Sequence, residues 1–261
     1  MPPTFALPHR GWLFDLDGTV YHGEALVPGA ADAIAALQTA GRRVAFLSNK
    51  PIQTRGDYAH KLTRLGIPTP VDDVINSSLV LARHLARLDR GAPVFVIGEP
   101  PLIGELRDHG FEVRTDHRVR WVVIAFDRTF DYAKLNTALQ AVRQGARLIA
   151  TNPDRTCPTE SGEIPDCAGM TAAVEAVTGH TVEVVVGKPS PIILEVALAH
   201  LGVTAPECAI VGDRLETDIV MGKRLGLATV LVLSGITRAG DPRITEIGPD
   251  LVLPSLRDLL R

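Results

Sequence analysis

Short, mostly apolar runs recur along this chain with helix-period segments between them. That alternation constrains the fold more than any other feature. Residues 44–47, 94–97, 121–125, 148–150, 182–186, 209–211 and 229–233 are runs of Val, Ile, Leu, Ala, Phe and Trp with few interruptions, each too short to make a stable helix. A strand buried on both faces reads this way, and such strands belong to parallel sheets covered by helices. Between them, Tyr58, Ala59, Leu62 and Leu65 follow helical spacing, with Gly66 as the C-terminal cap. Leu81, Ala82, Leu85 and Leu88 repeat the pattern, with Ser77 or Ser78 as N-cap. Further helices are expected over residues 30–40 and 131–144. A last one starts at Ser190 and Pro191 and stops at Gly202. The fold class is α/β with a doubly wound parallel sheet.

With 261 residues the chain can bury a sizeable core. A formal net charge of -3 gives no electrostatic support for a nucleic-acid partner. No apolar stretch is long enough to span a bilayer, so no membrane partner is expected. The opening MPPTFALPHRGW has no basic start followed by an apolar core, and Cys157, Cys167 and Cys208 form no disulfide framework or CxxC pair. A cytoplasmic location is the expectation. LGIPTP at 65–70 and LGVTAP at 201–206 look alike, but both are helix-stop chemistry rather than a repeat.

Chemistry collects at the strand ends. The apolar run Gly11, Trp12, Leu13, Phe14 leads into Asp15, Leu16, Asp17, Gly18 and Thr19, two carboxylates where unpaired charge is costly. Ser48 and Asn49 follow the 44–47 run, Lys188 follows 182–186, and GDRLETD at 212–218 follows 209–211. In an open parallel sheet, ligands bind outside the carboxyl ends of the strands. One carboxylate can attack phosphorus and a second can shuttle the proton. A hard cation such as Mg²⁺ can be held by Asp15 and Asp213, while Ser48 and Lys188 supply a hydroxyl and a cation to phosphoryl oxygens.

In order along the chain, DLDGT, LSN, GKPSP and GDRLETD resemble the motifs of the haloacid dehalogenase superfamily of phosphohydrolases. Asp17 and Ser48 are 31 positions apart, which leaves no room for a large insert, whereas Ser48 and Lys188 are 140 apart. A cap in that second place resembles subclass IIA, the NagD-like or 4-nitrophenylphosphatase branch. VYHGEALVPGA at 20–30 and ATNPDRTCPTESGEIP at 150–165 resemble it too. The resemblance implies a Rossmann-like core over residues 1–78 and 186–261, with a smaller α/β cap over 79–185 inserted in it. It implies that Asp15 is the nucleophile and a Mg²⁺ ligand. Asp17 would be the acid/base and a ligand through its carbonyl, Asp213 the remaining carboxylate ligand, and Asp218 a support for the metal site that helps hold the metal waters or Lys188. Ser48, Asn49 and Lys188 would bind phosphate, and Gly18 and Thr19 would complete the phosphate-facing turn.

Many relatives have Asn-Asn in the second motif where this chain has Asn49 and Lys50. Lys50 either adds positive charge near the leaving group or points to solvent. Asn152 and Asp154 lie in a rigid turn that in the family approaches the substrate, or they simply form the loop. His22 either lines the entrance or sits in a plain loop. Cys157 and Cys167 read as incidental thiols, Trp121 as core, and the arginines between 83 and 90 as a solvated helix face. The implied activity is Mg²⁺-dependent hydrolysis of small phosphomonoesters through an aspartyl-phosphate. Sugar, glycerol or polyol phosphates are the expected substrates, with 4-nitrophenyl phosphate in vitro. A nucleotide monophosphatase of the same fold is the alternative. A transferase to another acceptor and a silent binding homologue stand behind it, the latter disfavoured because every catalytic group is present. Relatives pair through their caps, so a homodimer is plausible.

Overall fold

Gly11–Asp15 lies inside a parallel sheet, with Cys208–Gly212 on one side and Arg43–Ser48 on the other. The computed structural model describes residues 7–159 and 162–260. Among these, the sheet has six strands in the order Leu251–Leu253, Ala228–Val232, Cys208–Gly212, Gly11–Asp15, Arg43–Ser48 and Val74–Asn76. Every residue of Gly11–Asp15 and Cys208–Gly212 is buried, which is why these runs are apolar on consecutive positions. Side chains of one parity, Trp12, Phe14, Phe46, Ala209 and Val211, pack with Ile34 and Leu37 of the helix Ala30–Thr39 and with Tyr58 and Leu62 of Arg55–Arg64. Leu13, Ala45, Leu47 and Ile210, of the other parity, are equally buried. Burial of each large side chain is worth about 1.5–3 kcal/mol, so both layers hold the sheet.

The chain forms two units. One gathers the residues up to Ser48, Arg55–Ile75, and Leu194 onward; the other holds Asn49–Thr54 and Asn76–Ile193. The second unit has its own parallel sheet, of five strands among the described residues: Val184–Val185, Arg147–Ala150, Trp121–Ile124, Pro93–Ile97 and Glu112–Arg114. The helices Tyr132–Arg143 and Cys167–Thr178 pack together on Val122, Ile124, Phe95 and Ile97. Ser77–Leu88 packs on Pro100–Asp108. Thr156–Thr159 pairs antiparallel with Gly162–Pro165. Among the described residues no helix is long and apolar enough to cross a membrane.

The strands Val74–Asn76, Glu112–Arg114 and Leu251–Leu253 and the helices Pro100–Asp108 and Cys167–Thr178 were not expected from the sequence, and local detail differs elsewhere too. The cap of Ser77–Leu88 is neither Ser77 nor Ser78 but Asn76, whose Oδ1 accepts from Leu79 N at 3.0 Å; the Ser77 hydroxyl donates instead to the Asn49 carbonyl at 2.6 Å. Leu88, counted into the apolar stripe, is the final residue of that helix and is exposed. The 182–186 run is a strand only over Val184–Val185, and the Val182 N–H is taken by the Glu175 carboxylate at 2.7 Å. Trp121 is core as expected, fully buried, with its Nε1 donating to Asp89 at 3.1 Å and the Arg147 guanidinium over its ring. Arg83, Arg87 and Arg90 are exposed.

Candidate active site

The register sets the site. Asp15 pairs with Leu47 and Phe14 with Val211, so Asp15, Ser48 and Asp213 emerge at the same carboxyl edge of the sheet. After Asp15 the chain folds back over Leu16, whose carbonyl accepts from Val20 N at 2.8 Å, while Gly18 N donates to the Tyr21 carbonyl at 2.8 Å. That reversal puts Gly18 at φ 88, in the left-handed region, and brings it so close to Asp213 that a Cβ there would lie 2.5 Å from Oδ2. The Thr19 hydroxyl, fully buried, donates to Asp15 Oδ2 at 3.3 Å. Asp15 itself is 9% exposed and Asp17 is half-buried. A short hairpin, Tyr21–His22 with Ala25–Leu26, follows. His22 Nε2 sits 2.8 Å from the Ser234 carbonyl oxygen, and the Ser234 hydroxyl donates to the Gly18 carbonyl at 2.8 Å.

Asp213 is 1% exposed. Its Oδ2 accepts from Ile236 N at 2.6 Å, and its Oδ1 is buried with no hydrogen-bond partner among the described residues. Burial first, and then the charges of Asp15 and Asp218, push its carboxyl up to about 8. Asp218 is held by the π-helical turn Leu215–Ile219, where its Oδ2 accepts from Arg214 N at 3.3 Å. Asp15, Asp213 and Asp218 each offer an oxygen, all within 4.8 Å of one another. The Asp17 carboxylate is not part of that group. Three buried acids at this spacing repel each other, and an unpartnered oxygen among them suits a hard cation that takes about six oxygens. The residues present therefore fit a metal.

The remaining candidates divide by unit. Ser48, buried, closes its strand in the first unit. Asn49, Lys50, Asn152, Asp154 and Lys188 belong to the second. Asn49 and Lys188 are buried and Lys50 is half-buried. Asn49 donates through Nδ2 to Asp154 Oδ2 at 2.9 Å and to the Lys188 carbonyl at 3.0 Å, and its Oδ1 accepts from Lys188 N at 2.8 Å. Asn152, 1% exposed, donates to the Asn49 carbonyl at 3.1 Å. The thiols of Cys157 and Cys167 are buried, and burial pushes Cys167 up to about 11, which keeps it an unreactive thiol.

Sequence reasoning missed the loop at 234–237. It holds Asp213 through Ile236 N and Gly18 through Ser234, and a Cβ at Gly235 would overlap the Asp213 carboxylate. The signal was there as Ser-Gly directly after the 229–233 run, but a small-residue turn carries no mark of its partner.

A family model described as haloacid dehalogenase-like hydrolase matches residues 12–112, and a HAD-hydrolase-like model matches residues 185–259. The chain is 42% identical over 252 residues to the sugar-phosphatase AraL of Bacillus subtilis, covering 96% of this chain and 92% of that protein. It is 35% identical over 245 residues to the ribonucleotide monophosphatase NagD of Escherichia coli, covering 94% and 96%. The crystal structure of a 4-nitrophenylphosphatase from Thermotoga maritima superposes with a TM-score of 0.91 at 34% identity, covering 96% of each chain.

Proposed function

The chain belongs to the haloacid dehalogenase-like hydrolases, and from that premise we propose that it is a Mg²⁺-dependent phosphatase of small phosphomonoesters. Near-full-length similarity to a sugar phosphatase, a ribonucleotide monophosphatase and a 4-nitrophenylphosphatase makes it a phosphoric monoester hydrolase. The observation that carries the reading is the convergence of Asp15, Asp213 and Asp218 at the carboxyl edge of a parallel sheet, with one buried Asp213 oxygen lacking a partner among the described residues. The sugar-phosphatase name of the relative at 42% identity favours sugar or other polyol phosphates. The ribonucleotide monophosphatase name of the second relative is the ground for nucleoside monophosphates as the alternative.

In the proposed reaction an Asp15 oxygen attacks phosphorus, and the new Oδ–P bond forms as the bond to the leaving oxygen breaks. The Asp17 carboxyl gives its proton to that oxygen. Asp17, now a carboxylate, takes a proton from a water whose oxygen attacks phosphorus; the Oδ–P bond breaks, and phosphate leaves with both acids restored. Thr19 orients Asp15 for the attack through its hydroxyl. Gly18 and Thr19 form the phosphate-facing turn, and Ser48 and Lys188 supply a hydroxyl and an ammonium to the equatorial oxygens. Asn49 belongs to the same phosphate segment, while Lys50, Asn152 and Asp154 serve the leaving-group side. Asp15, Asp213 and the Asp17 carbonyl would hold Mg²⁺, supported by Asp218. The cation would offset the charge repulsion between nucleophile and phosphate. Residues 79–185 act as the cap that selects the substrate, in a cytoplasmic protein that pairs through its caps.

Turnover of 4-nitrophenyl phosphate by Asp15→Asn tests the reading. Activity should fall to background with the circular dichroism spectrum unchanged, and full activity would overturn it. EDTA should silence the wild type and Mg²⁺ restore it.

A further inference from the structure

The Asn49 carboxamide has no hydrogen-bonding capacity left for a phosphate. Both Nδ2 hydrogens are used, one on Asp154 Oδ2 at 2.9 Å and one on the Lys188 carbonyl at 3.0 Å. Its Oδ1 receives the Lys188 N–H at 2.8 Å, so the amide grips both backbone groups of one residue. The grip is tight: a Cβ on Gly187 would lie 2.5 Å from the Thr151 carbonyl and 2.6 Å from Asn49 Oδ1. The Asn49 carbonyl is fixed as well, by the Ser77 hydroxyl at 2.6 Å and Asn152 Nδ2 at 3.1 Å. Asn152 in turn shapes the Asp154 loop, since its Oδ1 accepts from Asp154 N at 2.9 Å.

Three contacts agree on which way the amide faces, and Asp154 is the side chain among them: it and the Lys188 carbonyl accept from Nδ2, and the Lys188 N–H donates to Oδ1. A carboxylate only accepts, so Asp154 tolerates Nδ2 against it and repels Oδ1. Turning the Asn49 amide over would set oxygen against carboxylate and against the Lys188 carbonyl, and nitrogen against the Lys188 N–H. We propose that Asp154 is a positioning residue: through the Asn49 amide it locks the backbone of Lys188, and with it the cation offered to the phosphoryl group. This rests on the reading of Lys188 as the phosphate-binding cation. It moves Asn49 and Asp154 from contacting the substrate to holding the group that does. All of these residues lie in one unit of the chain.

Inhibition by inorganic phosphate separates the roles, because phosphate has no leaving group. The constant should weaken about tenfold or more in Asp154→Ala, measured against 4-nitrophenyl phosphate turnover. Asp154→Asn should recover most of the loss, since its amide oxygen still accepts from Nδ2. In a Lys188→Met background, where inorganic phosphate binding is read by titration calorimetry instead of turnover, Asp154→Ala should produce no further loss. An unchanged phosphate constant in Asp154→Ala, or an undiminished effect in the Lys188→Met background, would overturn the proposal. Should Asp154→Ala not fold, Asp154→Leu carries the same test: it removes the acceptor for Nδ2 while leaving Asn49 in place, and phosphate binding should weaken while the fold persists. Lys188→Met with unaltered phosphate inhibition would instead overturn the underlying reading of the phosphate site.

Discussion

Asp213→Asn should stabilise the metal-free protein while destroying its activity. Asp213 has its carboxyl raised from 3.8 to about 8 by burial and by Asp15 and Asp218. That is roughly four pH units, or on the order of 5 kcal/mol at about 1.4 kcal/mol per unit, borne jointly by the three acids. The folded-state value lies above the unfolded one, so the folded form keeps a proton that the unfolded form has released. This group's contribution is complete below about pH 4 and drains away as pH rises to about 8, at up to about 1.4 kcal/mol per pH unit. Asparagine keeps the shape, can still accept from Ile236 N, and directs an NH₂ group at the site of the unpartnered oxygen. Urea unfolding in EDTA should therefore show a gain of a few kcal/mol at pH 8 and about 1–2 kcal/mol at pH 5. Mg²⁺ should stabilise the wild type by mass action and leave the variant nearly unmoved. A variant less stable than wild type at pH 8 in EDTA, or a stability difference that does not change with pH, would refute the reasoning.

Gly235→Ala drives a methyl into the Asp213 carboxylate; overpacking of this kind destabilises by about 1–3 kcal/mol, and kcat/KM should fall at least tenfold, read by urea unfolding and steady-state kinetics. Asn76→Ala removes the cap of Ser77–Leu88 and should lower stability by about 1 kcal/mol in denaturant titrations. Lys50→Asn should reorder a panel of phosphorylated metabolites, with acidic substrates losing about tenfold relative to neutral ones, about 1.4 kcal/mol, and the overall rate changing less. An unchanged profile would leave Lys50 a solvent-facing residue.

The core strands were legible because burial on both faces writes consecutive apolar residues, as in Trp12, Leu13 and Phe14, and few other structures do that in so short a run. Asp15 and Asp213 were legible because a carboxylate next to such a run has no structural reason to be there. Helix edges were harder. Asn76 ends a strand too short to stand out as an apolar run, and it caps the following helix with its side chain. Val182 has the composition of a strand residue, but Glu175, seven positions away, takes its N–H. The Asn49 amide and the 234–237 loop were hidden for a different reason. Their partners lie 105 and 139 positions along the chain in one case and 23 and 216 in the other, and polar residues in turns do not announce a distant partner.

The central claim is that Asp15 carries the phosphoryl group during turnover. Acid quenching of the enzyme during hydrolysis, followed by borohydride reduction and peptide mass spectrometry, tests it directly. Reduction of an aspartyl-phosphate leaves homoserine at position 15, and the prediction is that homoserine appears there only when substrate and Mg²⁺ are both present. An unmodified Asp15 in enzyme quenched at full turnover, with the reduced residue found elsewhere, would contradict the account.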